Sequence, residues 1–261
     1  IASIHIESLG EGPGRDLRLA RLARLEGDWK SADELEASAI SAMQPSERVR
    51  AEISSLVRRY DDRLPGSIKA ELAEELLSGA DSIDVSELDP EDRELASLSI
   101  DLLRHSLALE TKDLEKASMA RESIESRMGP DDPRIPSLDL RARLSVASQS
   151  DALSEQATDS VWRHIEESTN HLDRIRMIHM ALETFSEPPK WLREAHASFE
   201  IESLRQDLAS HRRAVSHWWY WRGVINRGDR LSSWKEAIVR MRAAGCGNAS
   251  RELTQRLSRE L

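Results

Sequence analysis

The sequence predicts an all-α fold, a stack of about six antiparallel helical pairs. Three observations carry this expectation. Leu, Ala, Glu, Arg and Ser dominate the composition, and alternating β-branched runs are nearly absent. Proline, glycine and aspartate cut the chain into helix-length pieces. The resulting pairs begin near residues 15, 45, 90, 133, 170 and 211, a rhythm of 30 to 45 residues that suits helical-pair repeats.

Residues 1–14 read as an N-terminal extension, 15–209 as the helical array, and 210–261 as an aromatic, basic helical pair with a capping helix. The first hairpin spans 15–26 and 29–43 and turns at Gly27-Asp28. In its second helix Ala32, Leu35, Ala39 and Ala42 follow the i, i+3, i+4, i+7 spacing of one buried stripe. Pro45 opens a helix to about Tyr60, because proline is tolerated in a first turn. Pro65 opens the next, to about Leu77, with Gly79 as its stop. Asp89-Pro90-Glu91-Asp92 offers a capping aspartate, proline at the first helical position and acids facing the helix dipole. That helix runs to about Leu109, and 113–128 answers it.

Gly129-Pro130-Asp131-Asp132-Pro133 is the sharpest boundary in the chain. Helices are expected at 136–147 and 151–168, joined by Ser148-Gln149-Ser150, then at 170–186 and 189–209, split by Pro188-Pro189. The aromatic segment 211–227, a helix at 231–243 and a last one at 248–260 complete the order.

Residues 27–45 resemble the tetratricopeptide repeat at its diagnostic positions. Gly27 stands at the turn, Trp29 replaces the usual tyrosine, Ala32 and Ala39 take the small packing positions, and Ile40 and Pro45 follow. Met128-Gly129-Pro130-Asp131-Asp132-Pro133 is similar to the link between repeats of the kinesin-light-chain type, with Asp132 in place of histidine. Asp113 to Ala117 resembles the start of a second helix in that pattern, while Lys112 replaces the turn glycine. The resemblance implies a right-handed α-solenoid with a concave groove for a peptide or protein, and it names no ligand.

Composition excludes several functions. No apolar run approaches the roughly 20 residues that cross a bilayer. The single Cys246 rules out an internal disulfide and a multi-cysteine zinc site, and a cytoplasmic setting is expected. Starting at Ile1 rather than Met, the chain reads as part of a longer or processed polypeptide; its 31 Arg against 6 Lys point to a GC-rich, bacterial type of source. A net charge of −10 argues against general nucleic-acid binding. Residues 205–242 depart from that balance, with nine Arg or Lys against three Asp or Glu.

No catalytic constellation emerges. His164, His171, His179 and His196 lack the i, i+3 or i, i+4 pairing a helical metal site needs, so no metal or cofactor is expected. The acidic pairs Asp61-Asp62 and Asp131-Asp132 lie at helix ends and read as terminal charge. Gly10-Glu11-Gly12-Pro13-Gly14 lacks the Gly-Lys-Ser/Thr ending of a phosphate loop. Cys246 has no evident histidine partner.

Trp218-Trp219-Tyr220-Trp221-Arg222 is the exception. Four successive side chains on a helix sweep about 300° of its circumference, so they cannot all face one core. With Arg212, Arg213 and Arg227 around them, they form the expected partner-binding surface, since Trp, Tyr and Arg are common interface anchors. The expected function is that of a noncatalytic scaffold, adaptor or regulatory domain. It would bind a peptide or protein partner, an acidic one being favoured, or a second copy of the chain. The alternative is a sensor that uses the same basic region for nucleic acid or a small signalling ligand.

Overall fold

The computed structural model describes residues 12–26, 28–65, 70–132, 134–147, 155–185 and 187–260. Among these residues there are thirteen α-helices and no strand. They are α1 (Pro13–Glu26), α2 (Trp29–Ser41), α3 (Pro45–Asp61), α4 (Ala70–Ser82), α5 (Pro90–Glu110), α6 (Leu114–Met128) and α7 (Ile135–Ala147). Then follow α8 (Glu155–Glu167), α9 (His171–Thr184), α10 (Lys190–Ala197), α11 (Ala209–Ile225), α12 (Arg230–Ala243) and α13 (Gly247–Glu260). The expected turn glycine Gly27, the linker Pro133, the joint 148–150 and the side chain of Trp29 lie outside the described residues.

Helix starts are fixed by short polar side chains. Asp28, Asp89 and Asp113 each accept a hydrogen bond from the backbone N–H three residues on, and Asn170 accepts from Leu172 and Asp173. Each bond satisfies a donor that the first turn of a helix leaves open. Lys112 adopts φ 61°, the left-handed conformation that glycine takes most cheaply.

Consecutive helices pack on one another, and α3, α5, α7, α9 and α11 also contact in succession. Polar groups join this second series. Arg63 donates to Tyr60 Oη at 3.1 Å and to Glu110 at 2.9 Å, while Arg141 reaches Tyr60 Oη and, at 2.6 Å, the Ser106 hydroxyl. One apolar cluster runs from Leu140 to Leu257 and takes in Leu64 from the far end of α3; a second joins α3, α4 and α5 through Ile53, Leu76, Leu88 and Leu107.

Leu64 marks a closure. Asp62 accepts hydrogen bonds from the N–H groups of Asn248 (3.1 Å) and Ala249 (3.2 Å) at the start of α13. No capping side chain stands just ahead of that helix, so Asp62 serves as its N-cap from 186 residues away. Next to it Asp61 pairs with Arg213 of α11.

Two elements differ from expectation. Gly79 does not stop α4 but lies inside it, where the absent side chain admits Leu56 of α3; a Cβ there would sit 3.0 Å from Leu56 Cδ2. The expected helix 189–209 ends at Ala197, and the chain continues through a short 3-10 turn, Ile201–Ser203, that buries Ile201 and Leu204.

A tighter approach occurs at Gly223 in α11. A Cβ there would fall 2.4 Å from Trp234 Cδ1 and 2.6 Å from its Nε1. Trp234 is buried, bonded to the Tyr220 carbonyl and stacked on the Tyr220 ring at 6.3 Å, so it has nowhere to retreat. Gly223→Ala gains about 1 kcal/mol of helix propensity. Overpacking, at up to about 3 kcal/mol, outweighs that gain, for a net loss of about 1–2 kcal/mol. The thermal midpoint is expected to fall by about 2–8 °C; an unchanged or higher midpoint would show that the helices can part there at no cost.

Candidate partner-binding site

The aromatic segment lies on α11, and its faces have separate fates. Trp218, Tyr220 and Trp221 are buried, with 6%, 5% and 7% of their surfaces exposed. Trp218 Nε1 donates to the His196 carbonyl at 3.2 Å, and its ring stacks on the His196 imidazole at 5.3 Å. Tyr220 packs against Trp221 and Trp234. Three of the expected contact side chains are therefore core, because both α10 and α12 pack against this helix. Trp219 is half-buried and meets Trp218 edge-on, with the Arg222 guanidinium 5.2 Å from its ring. Arg222 also pairs with Asp229, and Arg227 is exposed at the far end.

Behind the aromatics lie three histidines. His179 of α9 stands 6.1 Å from both His196 of α10 and His217 of α11, ring centre to ring centre. The Nε2 atoms of all three are buried without a hydrogen-bond partner. Burial holds each imidazole below its ordinary value: His196 at about 4, His217 at about 3 and His179 well down, with His196 and His217 adding to the effect on His179. Sequence reading missed His217 and the trio it completes, since the three reside on different helices. Among the described residues no group of three or more His, Cys, Asp or Glu could hold a metal ion. Burial pushes the Cys246 thiol up to about 12, away from nucleophilic use.

Arg212 and Arg213 belong to a different place. They border a crevice of about 390 Å³ at the closure, between α1, the end of α3, the start of α11 and the turn from α12 to α13. Arg21, Arg24, Arg58 and Arg242 also line it, with Glu36, Asp61 and Asp62. Glu36 is buried between Arg24 and Arg58. Burial alone would raise its carboxyl, but the hydrogen bond and charge of Arg58, joined by Arg24, hold it below the ordinary range. Asp61 and Asp62 go the other way. Burial raises both, in spite of Arg213 beside Asp61 and the α13 N–H groups on Asp62.

A second concavity, an open trough of about 700 Å³, lies among α2, α3 and α4. Ala37, Ile40, Leu56 and Ile83 give it apolar surface, and Arg48, Glu52 and Asp33 add charge. Its first wall is α2, the helix whose Ala39 and Ile40 carry the repeat resemblance.

No protein-family model, curated protein or solved structure matches this chain. Its function has to be read from these two concavities and the groups around them.

Proposed function

We propose that the chain is a noncatalytic interaction protein of the tetratricopeptide-like kind, and that the trough among α2, α3 and α4 receives a peptide segment of a partner protein. The observation that carries this reading is the trough itself: an open channel with apolar and charged groups, formed where α2, α3 and α4 pack in succession. Such a surface takes apolar anchor residues of a helix or extended segment while its rim pairs with polar ones. The rigid helices supply it already shaped, which lowers the ordering cost of binding. No described helix is long and apolar enough to cross a membrane. A single cysteine fits a cytoplasmic setting.

The test is site-specific photocrosslinking. Ala37 is exposed and lines the trough, so Ala37→p-benzoylphenylalanine places a reactive ketone there without touching the core. In source-cell extract it is expected to give a discrete, nuclease-resistant protein adduct. Met119→p-benzoylphenylalanine, exposed on α6, is expected not to give it. Identical products from both positions, or adducts that vanish with nuclease, would overturn the reading. A second reading, a sensor for an anionic ligand, is favoured by the arginines of the crevice.

A further inference from the structure

We propose that the closure crevice is a binding site for a small polyanion, a molecule carrying at least two phosphate or carboxylate charges. The inference starts from how the carboxylates there are used. Glu36 is taken by Arg24 and Arg58, Asp61 by Arg213, and Asp62 by the two N–H groups of α13. Positive charge is left over. Arg21 makes no hydrogen bond or ion pair. Arg212 donates only to the backbone carbonyls of Gln206 and Asp207, and Arg242 only to the Ser250 hydroxyl. Arg213 adds a buried Nε with no acceptor.

Three guanidinium groups, those of Arg21, Arg212 and Arg242, thus border one crevice without a carboxylate partner, beside Arg213, which already holds Asp61. Elsewhere in this net acidic chain many arginines pair with acids, as Arg104 does with Asp81 and Arg230 with Glu260. Like charges held together repel unless an anion joins them. Guanidinium forks match phosphate and carboxylate oxygens in pairs, which makes oxyanions the fitting ligand class. The volume, about 390 Å³, falls in the range of small-molecule sites. A ligand there touches α1 and α3 on one side and α11 and α12 on the other, so its binding would brace the closure.

Inorganic pyrophosphate and citrate serve as probes, titrated into the full chain by calorimetry at constant ionic strength. One saturable site per chain is expected. Pyrophosphate binding tighter than citrate assigns a phosphate-bearing ligand, and the reverse order a polycarboxylate. Arg21→Gln with Arg212→Gln is expected to weaken binding at least tenfold, and Arg21→Gln alone to weaken it measurably. Neither arginine holds an ion pair, so both variants should keep the wild-type circular dichroism. Arg227→Gln, outside the crevice, is expected to leave the affinity unchanged. Hydrogen exchange at Arg58–Asp62 and Arg242–Ala249 should slow when pyrophosphate binds. The proposal is overturned by unsaturable binding or by equal weakening in Arg227→Gln.

Discussion

Acidification from pH 7.5 to 5 is expected to unfold this protein. Four buried imidazoles are responsible: His105 and His196 at about 4, His217 at about 3, and His179 well below its ordinary value. Burial is the first cause in every case. Cations strengthen it, with Arg141 and Arg121 near His105, Arg222 near His196, and Arg213 and Arg63 near His217. The unfolded chain binds protons on these residues near pH 6.5, and the folded chain does not until far lower. Between those limits the unfolded state holds more protons, so stability falls as pH falls, by about 1.4 kcal/mol per pH unit for each histidine.

From pH 6.5 to 5 that amounts to roughly 2 kcal/mol per histidine and about 8 kcal/mol for four, comparable with the whole stability of an ordinary domain. Asp61 and Asp62 oppose the trend. Their raised values mean that the folded state takes up their protons first, which offsets part of the loss at the acid end. Denaturant melts at pH 7.5, 6.5 and 5.5 check the expectation. The midpoint should drop steeply over the last step, and His179→Leu should flatten the slope by about a quarter. A midpoint that holds steady to pH 5.5 would refute it.

Trp218→Ala is expected to cost about 3–5 kcal/mol, as removal of a large core aromatic does. The ring is 6% exposed and stacks on His196, and its N–H donates to the His196 carbonyl at 3.2 Å, which the variant would leave with only the longer bond from the Phe199 N–H at 3.4 Å. The neighbouring Trp219→Ala should cost less than half as much, since that ring is only half-buried and gains chiefly from the Arg222 guanidinium. Urea titration of the two variants side by side distinguishes these roles. Equal losses would mean that the two faces of α11 are equally packed.

The all-α class and nearly every helix were legible from local signals. Asp89 followed by Pro90 announces α5, and the aspartate side chain does cap the helix, because a cap needs only the three residues beside it. Gly79 misled for the same reason. Its neighbour is Leu56, 23 residues back, and a pattern read along the chain sees a helix stop where the structure has a close contact.

The candidate sites were less legible. Arg212 and Arg213 stood out as part of a basic segment, but Arg21, Arg24, Arg58 and Arg242 join them only because α1 and the end of α3 meet α11 and the turn from α12 to α13. One signal was present: Gly245-Cys246-Gly247 offers no capping side chain to α13, so that helix required an acceptor from elsewhere. Asp62 supplied it, the Asp61-Asp62 pair having been read as plain terminal charge. The trio of His179, His196 and His217 was hidden in the same way, with its members on three helices.

The bond from Asp62 to α13 also sets a timetable for synthesis. Asp62 leaves the ribosome 186 residues ahead of Asn248, which at 5–20 residues per second is a wait of about 10–40 seconds. Through that interval the early helices exist without the wall that buries Leu64 and engages both aspartates. Joining these two segments therefore has to wait for α13, and a ribosome paused before residue 248 would hold the nascent protein with its first helices exposed.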